Sequence, residues 1–141
     1  MKNKALTIMM ILLVTITLVG VIALVVILKF TGDEEAKEPS IEEVVENSVD
    51  IPETTTNLLS NDFIRISFKI QTDSKKAKSE LEKRDFQVNN IIIEELSEMK
   101  AEELQGKKGK EMIESKVKDK VNSLMQEGMV EKVYITSMMI Q

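Results

Sequence analysis

The stretch FIRISFKI, residues 63–70, alternates strictly: Ile64, Ile66, Phe68 and Ile70 fall on one face, and Phe63, Arg65, Ser67 and Lys69 on the other. A period of two with one apolar face is the pattern of a half-buried β-strand. Upstream, TTTNLL at 54–59 begins with β-branched residues and is expected to be its partner strand, with Ser60, Asn61 and Asp62 as the turn of a hairpin. Downstream the period changes. Leu81, Val88, Ile92, Leu96 and Met99 recur at steps of seven, four, four and three, which predicts a helical segment from about Ser74 to Gln105 with one buried face. The pattern weakens around Arg84, Asp85 and Phe86, where either a kink or a division into two shorter helices would serve. Asp73 or Ser74 is suited to cap its start, and Gly106 to adopt the left-handed conformation that ends it.

A second helix is expected from about Gly109 to Glu127, with Ile113, Val117, Val121 and Leu124 on one face, Glu114 and Lys118 as an ion pair four apart, and Gly128 as its stop. From Met129 to Gln141 apolar residues occupy both parities, Val133, Ile135 and Met139 against Tyr134, Met138 and Ile140. That reads as a strand buried on both faces or as a central one. The order strand, strand, helix, helix, strand predicts an α+β layer, with two helices packed on one face of a small antiparallel or mixed sheet. Ile92 and Ile66 are expected to meet in its core.

The other end of the chain is of a different kind. From Ala5 to Leu28, ALTIMMILLVTITLVGVIALVVIL carries no charge and no proline. At about 1.5 Å per residue the run makes a helix of about 36 Å, against a hydrocarbon core of about 30 Å, so it spans with a modest tilt. A core helix of a soluble protein would need a polar face. A cleaved signal would have a shorter apolar region and a small-residue cleavage site. The expectation is one uncleaved transmembrane helix, marked along its length by Ala5, Leu12, Gly20 and Leu28. Lys2 and Lys4 precede it, and Lys29 is followed soon by Asp33, Glu34 and Glu35. The more positive flank stays in the cytoplasm, so the rest of the chain is expected outside. Thr7, Thr15 and Thr17 are expected to bond back to carbonyls one turn earlier. Gly20 has large residues four positions away on both sides, so no close-packing GxxxG face is present.

This organisation divides the chain into an anchor, 1–29, an acidic extracytoplasmic linker, 30–53, and an outer domain, 54–141. The linker holds both prolines, Pro39 and Pro52. Within it Ser40 followed by Glu43, with Ile41, Val44 and Val45, has the capping-box pattern of a short helix.

The net charge is −5, and with Lys2, Lys4 and Lys29 at the anchor the remainder is more acidic still. That excludes a nucleic-acid surface, which depends on clustered cations. Without Cys or His, thiolate and imidazole metal sites and Cys or His nucleophile systems are excluded, and any enzyme would rely on Ser, Thr, Lys, Tyr and carboxylates. These form no legible catalytic constellation, and no metal or cofactor is expected. The segment Gly106-Lys107-Lys108-Gly109-Lys110 lacks the glycine spacing and the Gly-Lys-Ser/Thr end of a phosphate loop, and reads as a basic turn between helices. Glu94, Glu95 and Glu98 fall on the polar side of the first domain helix, where carboxylates are normally solvated. Nine methionines could form an adaptable binding surface, but of these Met1, Met9 and Met10 belong to the anchor region and Met138 and Met139 look like sheet core.

The closing run from Gly128-Met129-Val130-Glu131-Lys132-Val133-Tyr134-Ile135-Thr136 to Ile140 and Gln141 resembles the C-terminal signature of the FliL family of flagellar basal-body-associated proteins. The same family's order is followed by the Lys-flanked anchor, Thr55-Thr56-Asn57-Leu58 before the first long strand, Arg84-Asp85 ahead of Ile91-Ile92-Ile93 and Leu96-Ser97, and the Gly109 helix with Asn122 and Leu124. The segment 135–139 departs from the aromatics of many relatives. The resemblance implies a membrane-held motor protein whose outer domain is similar to the stomatin and prohibitin fold. It also implies a homo-oligomeric ring around the flagellar stator proteins that supports torque and motility without catalysis. A scaffold of some other extracytoplasmic complex is the alternative.

Overall fold

The computed structural model describes residues 2–31 and 37–141; the acidic run Asp33-Glu34-Glu35 expected to flank the anchor lies outside them. The chain divides into two units, Met1–Glu38 and Pro39–Gln141.

The first is one helix, α1, Lys2–Thr31. Its stretch Asn3–Phe30 has a mean hydropathy of 3.2, which makes it long and apolar enough to cross a membrane. The hydroxyls of Thr7, Thr15 and Thr17 donate to the carbonyls of Asn3, Ile11 and Leu13 at 2.7, 2.6 and 2.8 Å. In an apolar medium that internal bonding removes the cost of an unpaired hydroxyl.

The second unit begins with a short helix, α2 (Ile41–Glu46). Its first turn is held by the Ser40 hydroxyl, which accepts from the Glu43 N–H at 3.3 Å. Strand β1 follows at once, Ser48–Asn57, then β2, Phe63–Thr72. The short helix agrees with the capping-box pattern at Ser40, whereas β1 starts six residues before Thr54, inside the stretch read as a solvated linker. The reason is a bulge: Ile51 faces Phe68 while Thr54 faces Ile66, leaving Pro52 and Glu53 opposite a single residue. Proline lacks a donor and is tolerated at a bulge on an edge strand. In the sequence it looks like a terminator. The hairpin turn is as expected, with Asn61 in the left-handed region (φ 66°) and the Leu58 N–H donating to the Asp62 carbonyl at 2.8 Å.

The helical segment is two helices and a 3-10 turn: α3, Lys75–Lys83, α4, Asp85–Ser97, and Ala101–Leu104. Ser74 caps α3, accepting from the Ala77 N–H at 3.1 Å. Helix α5 spans Gly106–Asn122, starting at Gly106 rather than ending a helix there, although Gly106 has the left-handed φ (73°) foreseen for it. Three helices, not two, thus cover the sheet, and Leu124 lies beyond α5 and is only partly buried.

Strand β3, Val130–Ile140, pairs antiparallel with β2, giving the order β1-β2-β3. It is an edge strand and not a central one, which corrects the reading of its two-faced pattern. Two register shifts explain that pattern. Ser67 pairs with Ser137 and Phe68 with Ile135, so Thr136 is extra; Gln71 pairs with Lys132 and Thr72 with Val130, so Glu131 is extra. Each inserted residue flips the parity, and Val130, Val133, Ile135, Met138 and Ile140 all turn to the side of Ile64, Ile66, Phe68 and Ile70. Met139, expected in the core, is 52% exposed. The core lies between that sheet face and the helices, with Ile66, Phe68, Leu81, Ile92, Leu96 and Ile113 inside it.

Candidate interaction surfaces

Several of the groups singled out in the sequence have structural roles. Gly109 is buried where α5 begins, and a Cβ there would stand 2.4 Å from the Glu103 carbonyl oxygen and 2.6 Å from the Leu104 carbonyl carbon. The basic turn is therefore built for close packing against the 3-10 turn, and Lys107 pairs with Glu111 at 3.6 Å. Of the three glutamates, Glu94 accepts from the Asn90 amide at 3.0 Å. Glu95 departs from the solvated reading: its side chain is 12% exposed and bridges α4 to Lys116 and Lys120 of α5 at 3.7 and 3.5 Å. Glu114, expected to pair with Lys118, instead accepts from the Ile135 N–H at 3.1 Å. That gives a backbone donor of the edge strand a side-chain acceptor. Among the described residues no three carboxylates gather into a metal-binding group.

The residues that shape the surface were mostly not singled out. Glu80, on α3, accepts from the Arg84 Nε at 2.8 Å and from the backbone N–H groups of Gln126 (3.0 and 3.1 Å) and Glu127 (2.6 Å). Desolvation pushes its carboxyl upward, but the Glu127 N–H, the Arg84 hydrogen bond, the Gln126 N–H and the Arg84 charge together outweigh that and hold it below its ordinary value. Arg84 also donates to the Gln87 side chain at 2.7 Å, so it joins α3, α4 and, through Glu80, the segment before β3. Two further clamps fix that segment. The Asp73 carboxylate accepts from the Met129 N–H at 3.2 Å, beside Gly128, which has φ 95° and where a Cβ would meet Asp73. The Asn122 amide mimics a neighbouring strand, accepting from the Val130 N–H at 2.6 Å and donating to its carbonyl at 3.0 Å. The i,i+4 spacing of Glu80 and Arg84 was the one sequence signal available for the first of these.

With these clamps in place, one aromatic ring stands out. Phe86, in the first turn of α4, is 70% exposed and borders grooves on three sides. The largest, about 840 Å³, runs between β1 and the helices α3 and α4. The sheet face away from the helices is polar and internally bonded: the Gln71 amide donates to Glu131 at 3.1 Å, Tyr134 donates to Gln71 at 3.1 Å, and Lys69 pairs with Asp50 at 3.3 Å. The Lys132 ammonium lies 4.9 Å from the Tyr134 ring centre. Such an arrangement can bind; among the described residues it gathers no nucleophile, base and oxyanion donor into a catalytic set.

The profile of the flagellar basal body-associated protein FliL family matches residues 48–141, the stretch from β1 to the last residue. The flagellar protein FliL of Bacillus subtilis (strain 168) is 50% identical over 107 residues, covering 76% of each chain. A family match across the stretch from β1 to β3, together with a relative at that identity and coverage, places this chain in the FliL family of flagellar basal-body-associated proteins.

Proposed function

We propose that α1 holds this chain in the cytoplasmic membrane, with Lys2 and Lys4 inside and the α+β domain outside. There it surrounds and supports the stator units of the flagellar motor, promoting torque generation and so swimming and swarming. The observation that carries this reading is the family membership across the whole domain. The apolar helix with its cationic N-terminal flank supports the anchoring and the orientation. In this reading Ala5, Leu12, Gly20 and Leu28 lie within the bilayer. The tether proper is confined to the residues before α2, and the domain acts by binding. The proposal includes a homo-oligomeric ring and a stomatin-like architecture. Ring contacts can each be modest, because confinement around a shared partner raises effective concentration to about the mM range.

The decisive experiment is a clean in-frame deletion, scored separately for filament number and for torque on tethered beads of graded size. Filaments should be made in normal number, while torque falls, most at high load. Normal torque at every load would overturn the role. Orientation is tested by adding protease to intact protoplasts, which should remove the domain; full protection of a C-terminal tag would reverse the topology.

A further inference from the structure

The outer side of β1 has no strand beside it among the described residues, and Thr54–Asn57 keeps regular register with Ile66–Phe63 on its inner side. A regular edge presents outward-facing N–H and C=O groups to any chain that can lie alongside. The other sheet edge is less open, since two bulges interrupt β3 and Glu114 occupies the Ile135 N–H. Beside β1 lies the large groove, whose floor and rim include Phe86, at 70% exposure, and Ile93, at 36%. A phenylalanine so exposed on an otherwise charged surface, with a concave site next to it, has the character of an interface anchor. Asn89, also in the groove, holds β1 to α4 by accepting from the Thr54 hydroxyl at 2.7 Å, so the two walls are fixed relative to each other.

The groove is also strongly signed. Asp50, Glu53, Glu82 and Asp85 line it against a single cation, Lys78. Asp50 is paired with Lys69, but Glu53, Glu82 and Asp85 have no ion-pair partner among the described residues. Like charges gathered around an apolar floor repel one another until a cationic ligand arrives, and such a field steers that ligand in. We propose that this groove takes an extended segment of a partner protein, rich in alternating apolar and basic side chains, as a strand added to β1. Its apolar side chains rest against Phe86 and Ile93, its cations meet the unpaired carboxylates, and its backbone pairs with Thr54–Asn57. This gives the binding role proposed above a surface and a partner chemistry, and rests on that role only for the existence of a protein partner.

The test uses the full chain in discs of zwitterionic lipid and dye-labelled peptides of about ten residues, the length of a long strand. The probes are an alternating Lys–Val peptide, an alternating Glu–Val peptide, and the Lys–Val peptide N-methylated at every second residue. The first should bind at least about tenfold more tightly than either of the others, because the second reverses the charge and the third loses backbone donors. Phe86→Ala should weaken Lys–Val binding about fivefold or more, and Glu82→Lys with Asp85→Lys about tenfold. All three positions are surface sites whose replacement leaves the core intact. Glu102→Lys with Glu111→Lys, outside the groove, should leave the affinity unchanged. Equal binding of the N-methylated peptide would overturn strand addition. Equal weakening by the outside pair would reduce the effect to bulk charge. Self-association without peptide that Phe86→Ala abolishes would assign the groove to a second copy instead. Each of these outcomes is independent of the torque phenotype of the deletion.

Discussion

From Leu6 to Leu28 the large apolar side chains of α1 are between 46% and 71% exposed, whereas Val88, Ile92 and Leu96 of α4 are completely buried. Both helices draw on aliphatic residues, and their arrangement separates them. In α4 the apolar positions recur at i, i+4 and i+8, and Asn90 and Glu94 take the opposite side, so the helix can satisfy a core and water together. In α1 no such division exists. A helix that is apolar all round has its backbone bonds made internally and needs an apolar surrounding on every side. The same residue type should therefore matter to the domain in one helix and not in the other. Ile92→Ala should destabilise the domain by about 2–5 kcal/mol, since it leaves a cavity in the core that Ile92 shares with Ile66. Ile16→Ala in α1 should leave the melting of the domain within about 0.5 kcal/mol of the parent. Thermal unfolding of the full chain in mild detergent, followed by near-UV signals from Tyr134, measures both. Equal losses would mean that the two units do not fold independently.

The contrast also locates what the sequence could say. Regular periods were legible: the apolar run of α1, the strict alternation of β2 and the stripe of α4 each name their element and their buried face. Irregularities were not. Pro52 and Glu53 form a bulge within β1, yet next to acidic neighbours they imitate a linker. Glu131 and Thr136 each shift the parity of β3, and the resulting pattern imitates a strand with two buried faces, although only one is covered. A bulge is a local geometric fact with no fixed composition, so period counting cannot see it. Of the candidate surface even less was legible. Phe86 looked like a gap in a helical pattern, and it stands off the buried stripe of Val88, Ile92 and Leu96. Asn122 and Glu80 act on backbone groups of a distant segment, which no local spacing encodes.

A second way to sharpen the contrast uses glycines, since Gly20 and Gly109 sit in opposite surroundings. A Cβ at Gly20 meets nothing within 4 Å, and its backbone is helical. At Gly109 the same methyl would enter the backbone of Glu103 and Leu104, so α5 or the 3-10 turn must move. Gly109→Ala should cost about 1–3 kcal/mol through overpacking. Gly20→Ala should leave the domain unchanged and favour the α1 helix itself by about 1 kcal/mol. Far-UV melting curves of the two variants would distinguish them, and a neutral Gly109→Ala would show that the 3-10 turn yields easily.

The smallest effect expected is also the one most specific in its pH dependence. In α1 the hydroxyls of Thr7, Thr15 and Thr17 bond within their own helix, whereas Glu80 ties α3 to Gln126 and Glu127, residues that follow α5 in the chain. Its carboxyl is held below the ordinary value of 4.5, against desolvation, by the Glu127 N–H, Arg84 and the Gln126 N–H. A depressed folded-state pKa means that the unfolded chain binds the proton more tightly, so the stabilisation is complete above the unfolded value and is lost as pH falls through the folded one. Glu80→Gln keeps the side-chain length and one acceptor oxygen but removes the charge that faces Arg84 and the two N–H groups. The variant should melt below the parent at pH 6 to 8, and the gap should narrow once the pH drops beneath about 4.5. Hydrogen exchange at the Gln126 and Glu127 amides, compared at neutral and acid pH, reads the same linkage locally. Faster exchange in the variant at neutral pH, converging with the parent in acid, is the expected result. A gap in melting temperature that stays constant from pH 7 to 3 would assign the loss to side-chain shape and remove the charge of Glu80 from the account.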